Sequence, residues 1–189
     1  MKKIGITGSL ASGKSTASIF LSTNRGPLFS ADKVVKKLYS TNLFKKKISK
    51  KFNIKNFKNI KKSILREKIL ENKSNIKKLE KVIHPLVRKE MFKFIKKNKK
   101  KNFIFLEIPL LIENKLEKNF DVIFYIKAKK NIRLKRFSLK GGNKRLFHML
   151  DKKQLSDAKK RKNCDHIIIN EKNLKFLKKS LSDIFIQYE

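Results

Sequence analysis

Three features of the sequence predict an α/β protein built on a mainly parallel sheet. Short apolar runs alternate with longer stretches of helical periodicity, turn residues separate the two, and a loop of small residues joins the first run to the first helix. The runs are rich in β-branched and aromatic residues and are nearly continuous, as strands covered on both faces require. In order they are KIGIT (3–7), PLFS (27–30), NFIFLEI (102–108), DVIFYIK (121–127) and HIIIN (166–170). Helices are expected at 14–22, 31–39, 61–72, 74–82, 85–97, 130–139, 143–162 and 174–184. The break before residue 85 follows from Pro85, which suits a helix's first turn because its missing N–H has no intrahelical partner to lose there. No internal repeat or Gly/Ser-rich linker interrupts the chain, so a single domain over 1–189 is expected. Two stretches exceed what a simple crossover needs: 34–95, which reads as all-helical, and the strongly basic 129–163. Insertions of this kind on a sheet scaffold commonly serve as substrate caps and lids.

Hydrophobic residues make up 40% of the 189, enough for a sizeable core, while the formal net charge is +36. So basic a balance points first toward nucleic acid or an anionic membrane. Its composition argues otherwise. Only seven of the 51 basic residues are arginines, Trp is absent, Gly and Pro are scarce, and the lysines are spread along the chain instead of forming one stripe. This is the pattern of lysine drift over a solvated surface in an AT-rich genome. A polyanion-binding role remains the other reading, although no RNP-like or zinc-finger pattern supports it. The single cysteine, Cys164, cannot form an intrachain disulfide and reads as a small packed residue in a reducing compartment. No apolar stretch approaches the roughly 20 residues of a membrane span, and the apolar run of MKKIGIT is too short for a signal peptide. A soluble cytoplasmic protein is expected, acting as a monomer with no membrane partner.

Residues 8–16, GSLASGKST, match G-x-x-x-x-G-K-[ST] through Gly8, Gly13, Lys14 and Ser15. Successive N–H groups of such a loop point inward and, with the positive end of the following helix, make a site for anionic oxygens. Ala11, Ser12, Gly13, Lys14, Ser15 and Thr16 are therefore the expected cradle for the phosphates of ATP. Lys14 supplies a charge beside the β- and γ-phosphates, Ser15 a hydroxyl for Mg²⁺, and Thr16 a contact to the α-phosphate. A cradle alone serves a GTPase, an ATPase or a kinase, so the acids matter. Asp32, in FSADK, follows the second strand. At the carboxyl end of a parallel strand it could take a proton from a substrate hydroxyl or hold a water on Mg²⁺. It is equally an acid favoured by a helix N-terminus. Glu107 closes NFIFLEI at the same edge, either orienting the water shell of Mg²⁺ or simply ending the strand.

Together these pieces resemble the dephospho-CoA kinase family over nearly the whole chain. IGITGSLASGKST looks like the family's opening and FSADK like its Asp-Ala-Asp segment. LEKVIHPLVRKEM (79–91) is similar to its Leu-Glu-x-x-x-His-Pro stretch, FLEIPLLIEN (105–114) to its Pro-Leu-Leu-Phe-Glu segment, and CDHIIIN (164–170) to its Ala-Asp-x-Val-Ile-x-Asn ending. The resemblance implies a three-layer α/β/α P-loop fold with a five-stranded parallel sheet, a helical CoA-binding insertion near 34–95 and a lid near 129–163. It also implies transfer of phosphate from ATP to the ribose 3′-hydroxyl of dephospho-CoA, with Asp32 as the base. His84, Pro85 and Arg88 would bind the acceptor, with Pro109, Leu110, Leu111 and Glu113 beside it. Asn170 would lie near the adenine. Among the lid arginines Arg133, Arg136 and Arg145, Arg136 is the expected catalytic one. Departures are visible. Ser9 and Ala11 stand where the family commonly has glycine, so a positive φ at Ala11 would be strained. Ser30 replaces the first Asp of Asp-Ala-Asp. Another P-loop kinase of small molecules or nucleotides is the alternative, and a nucleic-acid-binding P-loop protein a more distant one.

Overall fold

The computed structural model describes residues 1–55, 60, 64–65, 67–68, 72 and 74–189. All five expected strands form: β1 (Lys2–Gly8), β2 (Leu28–Ser30), β3 (Phe103–Glu107), β4 (Val122–Lys127) and β5 (His166–Ile169). Every pairing is parallel and the order across the sheet is β2-β3-β1-β4-β5. The first strand is thus central, and the chain passes to one side of it and then the other. Ligands of open parallel sheets bind beyond the carboxyl ends at such a switch of direction. Register fixes what meets there: Ile6 and Ser30 both pair with Glu107, and Gly8 pairs with Ile126.

Two compact units make up the chain, Met1–Ser30 with Asn98–Glu189, and Ala31–Lys97. In the first, the period of two along each strand separates the sheet's faces. Ile4 and Ile6 on β1, Phe105 on β3, Phe124 and Ile126 on β4 and Ile168 on β5 form one cluster. Ala17 and Leu21 of α1 (Lys14–Ser22), together with Leu177, Leu181 and Phe185 of α8 (Leu174–Phe185), complete it. Phe185 sits 5.7 Å from the Phe105 ring centroid and 6.4 Å from that of Phe124. Full burial of each such side chain contributes about 1.5–3 kcal/mol. On the opposite face Gly5 leaves room for neighbours: a Cβ there would come within 2.9 Å of Phe120 and 3.0 Å of Leu111.

The second unit holds α2 (Ala31–Leu38), α3 (Asn42–Phe52) and α4 (Ser74–Lys97) around Phe44, Ile48, Ile60, Leu65 and Leu79. Thr41 starts α3 by accepting the Phe44 N–H at 3.3 Å, and Phe44 and Ile48, one turn apart, bury its inner face. The helix expected at 61–72 falls largely outside the described residues. The helices expected at 74–82 and 85–97 are one helix, α4, with Pro85 inside it. Pro85 lies exposed, and Ile76, Leu79, Val82, Ile83 and Leu86 carry the helical spacing straight past it. One backbone bond is lost, and the apolar face outweighs it. His84 is consequently an interior helical residue and not the mouth of a helix.

Residues 143–162, expected as one helix, are two: α6 (Lys144–Asp151) and α7 (Asp157–Arg161), following α5 (Lys130–Ser138). The break has a polar cause. Gln154 gives its side chain to the Leu10 N–H, the Leu155 N–H goes to Glu113, and Ser156 caps the next helix through the Lys159 N–H. Among the described residues no helix is long and apolar enough to cross a membrane.

Replacing Pro85 by Ala restores the missing N–H in α4. Offset in part by the greater freedom of the unfolded chain, the change is expected to stabilise the protein by about 2 kcal/mol. Denaturant unfolding followed by circular dichroism measures it, and an unchanged midpoint would show that α4 is already relaxed at Pro85.

Candidate active site

The loop after β1 takes its path from three residues. At Gly8 a Cβ would lie 2.3 Å from the Ile126 carbonyl oxygen and 2.8 Å from Ser12 Oγ, so only glycine fits against β4. Gly13 has φ 100°, and a Cβ there would meet Asn170 Nδ2 at 2.2 Å. Ala11, between them, has φ 58°. Left-handed residues at 11 and 13 turn the N–H groups of the loop to one side, the arrangement that binds anions. The first turn of α1 contains no acid of its own, which leaves its N–H groups open to an anion. Lys14 is buried and donates from Nζ to the Ser9 carbonyl at 2.9 Å, drawing its charge across the loop. Ser15 and Thr16 are exposed at the loop's end.

Glu107 fulfils the expectation that β3 ends beside this loop. Its side chain is 3% exposed, and Oε1 accepts the Ser15 hydroxyl at 2.5 Å. A buried carboxylate and a serine hydroxyl are hard oxygen donors, and Mg²⁺ is commonly held by one or two such groups with water and substrate phosphate completing its shell. The pair fits that ion. No group of three or more His, Cys, Asp or Glu residues placed to hold a metal ion occurs among the described residues.

The basic segment 129–163 closes round the outside of the loop. Arg136 donates from Nη1 to the Asn170 carbonyl at 3.1 Å and the Ser12 carbonyl at 3.4 Å. Asn170 donates from Nδ2 to the same Ser12 carbonyl at 2.9 Å. Arg133 is 6% exposed and differently engaged: Nε bonds the Ala128 carbonyl, while Nη1 reaches Asp151 Oδ1 at 2.6 Å and the Leu10 carbonyl at 3.3 Å. Its guanidinium also lies over the Phe147 ring. Arg133 is thus a tether between α5, α6 and the loop, whereas Arg136 lies against the residues that shape Gly13. Arg145 stands exposed on α6.

After β3, the Pro109 carbonyl accepts the Thr7 hydroxyl at 3.2 Å, Leu110 is half-buried and Leu111 fully buried. Glu113 Oε1 accepts the Leu155 N–H at 3.1 Å and pairs with Lys160 Nζ at 2.8 Å. Lys160 is fully buried, so this is an interior ion pair. It commits the Glu113 carboxylate to holding α7, not to open solvent. Cys164 is half-buried nearby, its thiol pushed up to about 12 by burial and by the acids Asp165, Glu113 and Glu117, with Lys160 opposing. That thiol is no nucleophile near neutral pH.

A model of the dephospho-CoA kinase family matches residues 2–175. The chain belongs to that family. It is 36% identical over 179 residues to the dephospho-CoA kinase of Bartonella henselae, covering 92% of this chain and 91% of that one. It is 32% identical over 182 residues to that of Fusobacterium nucleatum, covering 94% of each. The solved dephospho-CoA kinase from Campylobacter jejuni superposes with a TM-score of 0.68 at 28% identity, covering 99% of this chain and 97% of that one. A shikimate kinase from Acinetobacter baumannii shares the fold, with a TM-score of 0.56 at 14% identity.

The other residues singled out in the sequence, Asp32, His84, Pro85 and Arg88, lie in the second unit. Asp32 is exposed in the first turn of α2, two residues beyond the end of β2. His84 and Arg88 are one turn apart on a single face of α4, Arg88 exposed and His84 half-buried, with Pro85 between them in sequence.

Sequence reasoning missed Tyr125, Asp151, Gln154, Asp157 and Lys160. Tyr125 is hidden inside an apolar strand and Lys160 among dozens of lysines. The two aspartates carried a usable signal, being the only acids between 129 and 163.

Two stability outcomes follow from this geometry. Ala11→Gly relieves the left-handed strain and gives back part of the gain through unfolded-state freedom, so a net rise of about 0.5–1 kcal/mol is expected in thermal or chemical unfolding. Lys160→Met, leaving the Glu113 carboxylate buried without its cation, should cost about 3 kcal/mol. Adding Glu113→Gln, which keeps an acceptor for Leu155, should recover most of it. A double variant as unstable as the single one would remove charge burial as the cause.

Proposed function

We propose that this chain transfers the γ-phosphoryl group of ATP to the ribose 3′-hydroxyl of dephospho-CoA, giving CoA and ADP. The observation that carries the reading is the Ser15–Glu107 pair at the end of an anion-binding loop, in a chain that belongs to the dephospho-CoA kinase family. The loop N–H groups and the start of α1 bind the phosphate chain, and Lys14 carries a positive charge to the β- and γ-phosphates. Ser15 would hold Mg²⁺, with Glu107 orienting its water shell, and the ion when bound neutralises charge on the phosphate oxygens. Asp32 acts as the base. As the 3′-oxygen bonds to the γ-phosphorus, the bond from that phosphorus to the β–γ bridging oxygen breaks and the hydroxyl proton passes to the Asp32 carboxylate.

His84 and Arg88 are assigned to the acceptor, Arg88 offering a planar fork to a phosphate oxygen. Pro85, on the same helix, is assigned with them to the acceptor's side, as are Pro109 and Leu110, with Leu111 and Glu113 supporting that wall from the interior. Ala11, Ser12, Gly13 and Thr16 complete the ATP cradle, with Asn170 toward the adenine. Arg136 meets the charge that develops on the transferring phosphate, and the segment 129–163 serves as a lid excluding water that would otherwise hydrolyse ATP. The reading extends to a cytoplasmic monomer acting on a small molecule, with no specific nucleic-acid or membrane partner.

A coupled ADP-release assay with dephospho-CoA, confirmed by the mass gain of one phosphate on the product, tests the reaction. Faster turnover on AMP, CMP or shikimate would replace the acceptor. Lys14→Ala and Asp32→Asn are each expected to lower turnover by about 10²-fold or more, by analogy with loss of one transition-state-stabilising group. Near-normal turnover of Asp32→Asn would end its role as base.

A further inference from the structure

We propose that Asp157, acting through Ser9 and together with Tyr125 and Gln154, is a positioning residue that holds the phosphate loop in its nucleotide-ready path before ATP arrives. The inference rests on the ATP-binding reading above and goes beyond it, because these side chains bond to the loop and to one another, and none is among the residues assigned there to the nucleotide. Asp157 Oδ1 accepts two hydroxyls at once, from Ser9 at 3.0 Å and from Tyr125 at 2.5 Å, and those hydroxyls lie 3.0 Å from each other. Ser9 is 4% exposed and Tyr125 fully buried, so water does not replace these bonds readily. One residue on, the Leu10 N–H donates to Gln154 Oε1 at 2.9 Å. That amide is spent on the protein and is not available to phosphate.

The loop has particular need of such anchors. Ala11 holds a left-handed conformation, with φ 58°, without being glycine. A strained loop persists only where its surroundings over-determine it. Tyr125 is a dependable donor, since burial and its bond to Asp157 both raise its phenol above the ordinary value.

The consequence is a separation of binding from chemistry. When only a fraction of molecules has the competent loop, the apparent nucleotide affinity falls by that fraction, whereas saturating nucleotide restores the loop and hence turnover. A purely structural role for Asp157, such as charge at the start of α7, would lower the melting temperature without changing nucleotide affinity.

The test is ADP titration calorimetry, with steady-state kinetics and thermal melts alongside, on the wild type, Asp157→Ala, Asp157→Asn and Tyr125→Phe. Asp157→Ala is expected to raise the ADP Kd and the KM for ATP about tenfold, with kcat within about twofold and the KM for dephospho-CoA unmoved. Asp157→Asn, which keeps one carbonyl oxygen for both hydroxyls, should fall between. Tyr125→Phe should do less than Asp157→Ala, because the Ser9 bond survives. An ADP Kd for Asp157→Ala equal to the wild type's, or a loss confined to kcat, overturns the proposal. If Asp157→Ala fails to melt cooperatively, wild-type ADP affinity in both other variants overturns it. A wild type that binds no ADP sinks the proposed function instead.

Discussion

A loop that turns its N–H groups inward toward an anion must turn other backbone groups outward, and each of those needs a partner away from water. The first unit of this protein is organised by that constraint. The Ser9 carbonyl is met by Lys14, the Leu10 N–H by Gln154, the Leu10 carbonyl by Arg133, and the Ser12 carbonyl by Asn170 and Arg136. All these partners but Lys14 come from the C-terminal third of the chain. The order β2-β3-β1-β4-β5 makes the meeting possible, since it places β4 directly beside β1 and β5 beside β4. Asn170 leaves β5 directly at the loop, Arg133 and Arg136 reach it from the first helix after β4, and Gln154 from the break that follows the next helix.

Charge is distributed with the same economy. Against 51 basic residues the chain has 15 acids. In a surface so dominated by one sign, an acid's position says more than a lysine's. Glu107 receives Ser15, Asp151 receives Arg133, Asp157 receives Ser9 and Tyr125, and Glu113 receives Lys160. Each joins segments distant in sequence. The interior pair of Glu113 and Lys160 is costly to desolvate and gains stability only while both members remain. Its value lies in fixing where α7 sits.

Legibility varied with the range of the interaction involved. The strands could be read because runs such as FIFLE and VIFYIK are nearly all apolar, and burial on both faces allows little else. The loop could be read because Gly8 and Gly13 answer local demands, a close approach to Ile126 and a left-handed turn beside Asn170. Pro85 misled because a proline's local preference favours a helix start, while the buried face of α4 carries the helix through it. The 143–162 stretch misled for the opposite reason. Its periodicity is adequate for one helix, but Gln154 and Leu155 bond to Leu10 and Glu113, which no local pattern records.

By itself the sequence determined the five strands, the central phosphate loop and the acid at the end of β3, because backbone conformation and burial act between near neighbours; that Ala11 takes a left-handed φ was decided by the structure. Only the tertiary structure decided that Arg133 serves as a tether while Arg136 lies against the loop, that Glu113 meets a buried lysine, and that Asp157 grips Ser9 through a hydroxyl triangle. Those bonds join residues 18 to 148 positions apart, and their partners are chosen by which strand ends the sheet brings side by side.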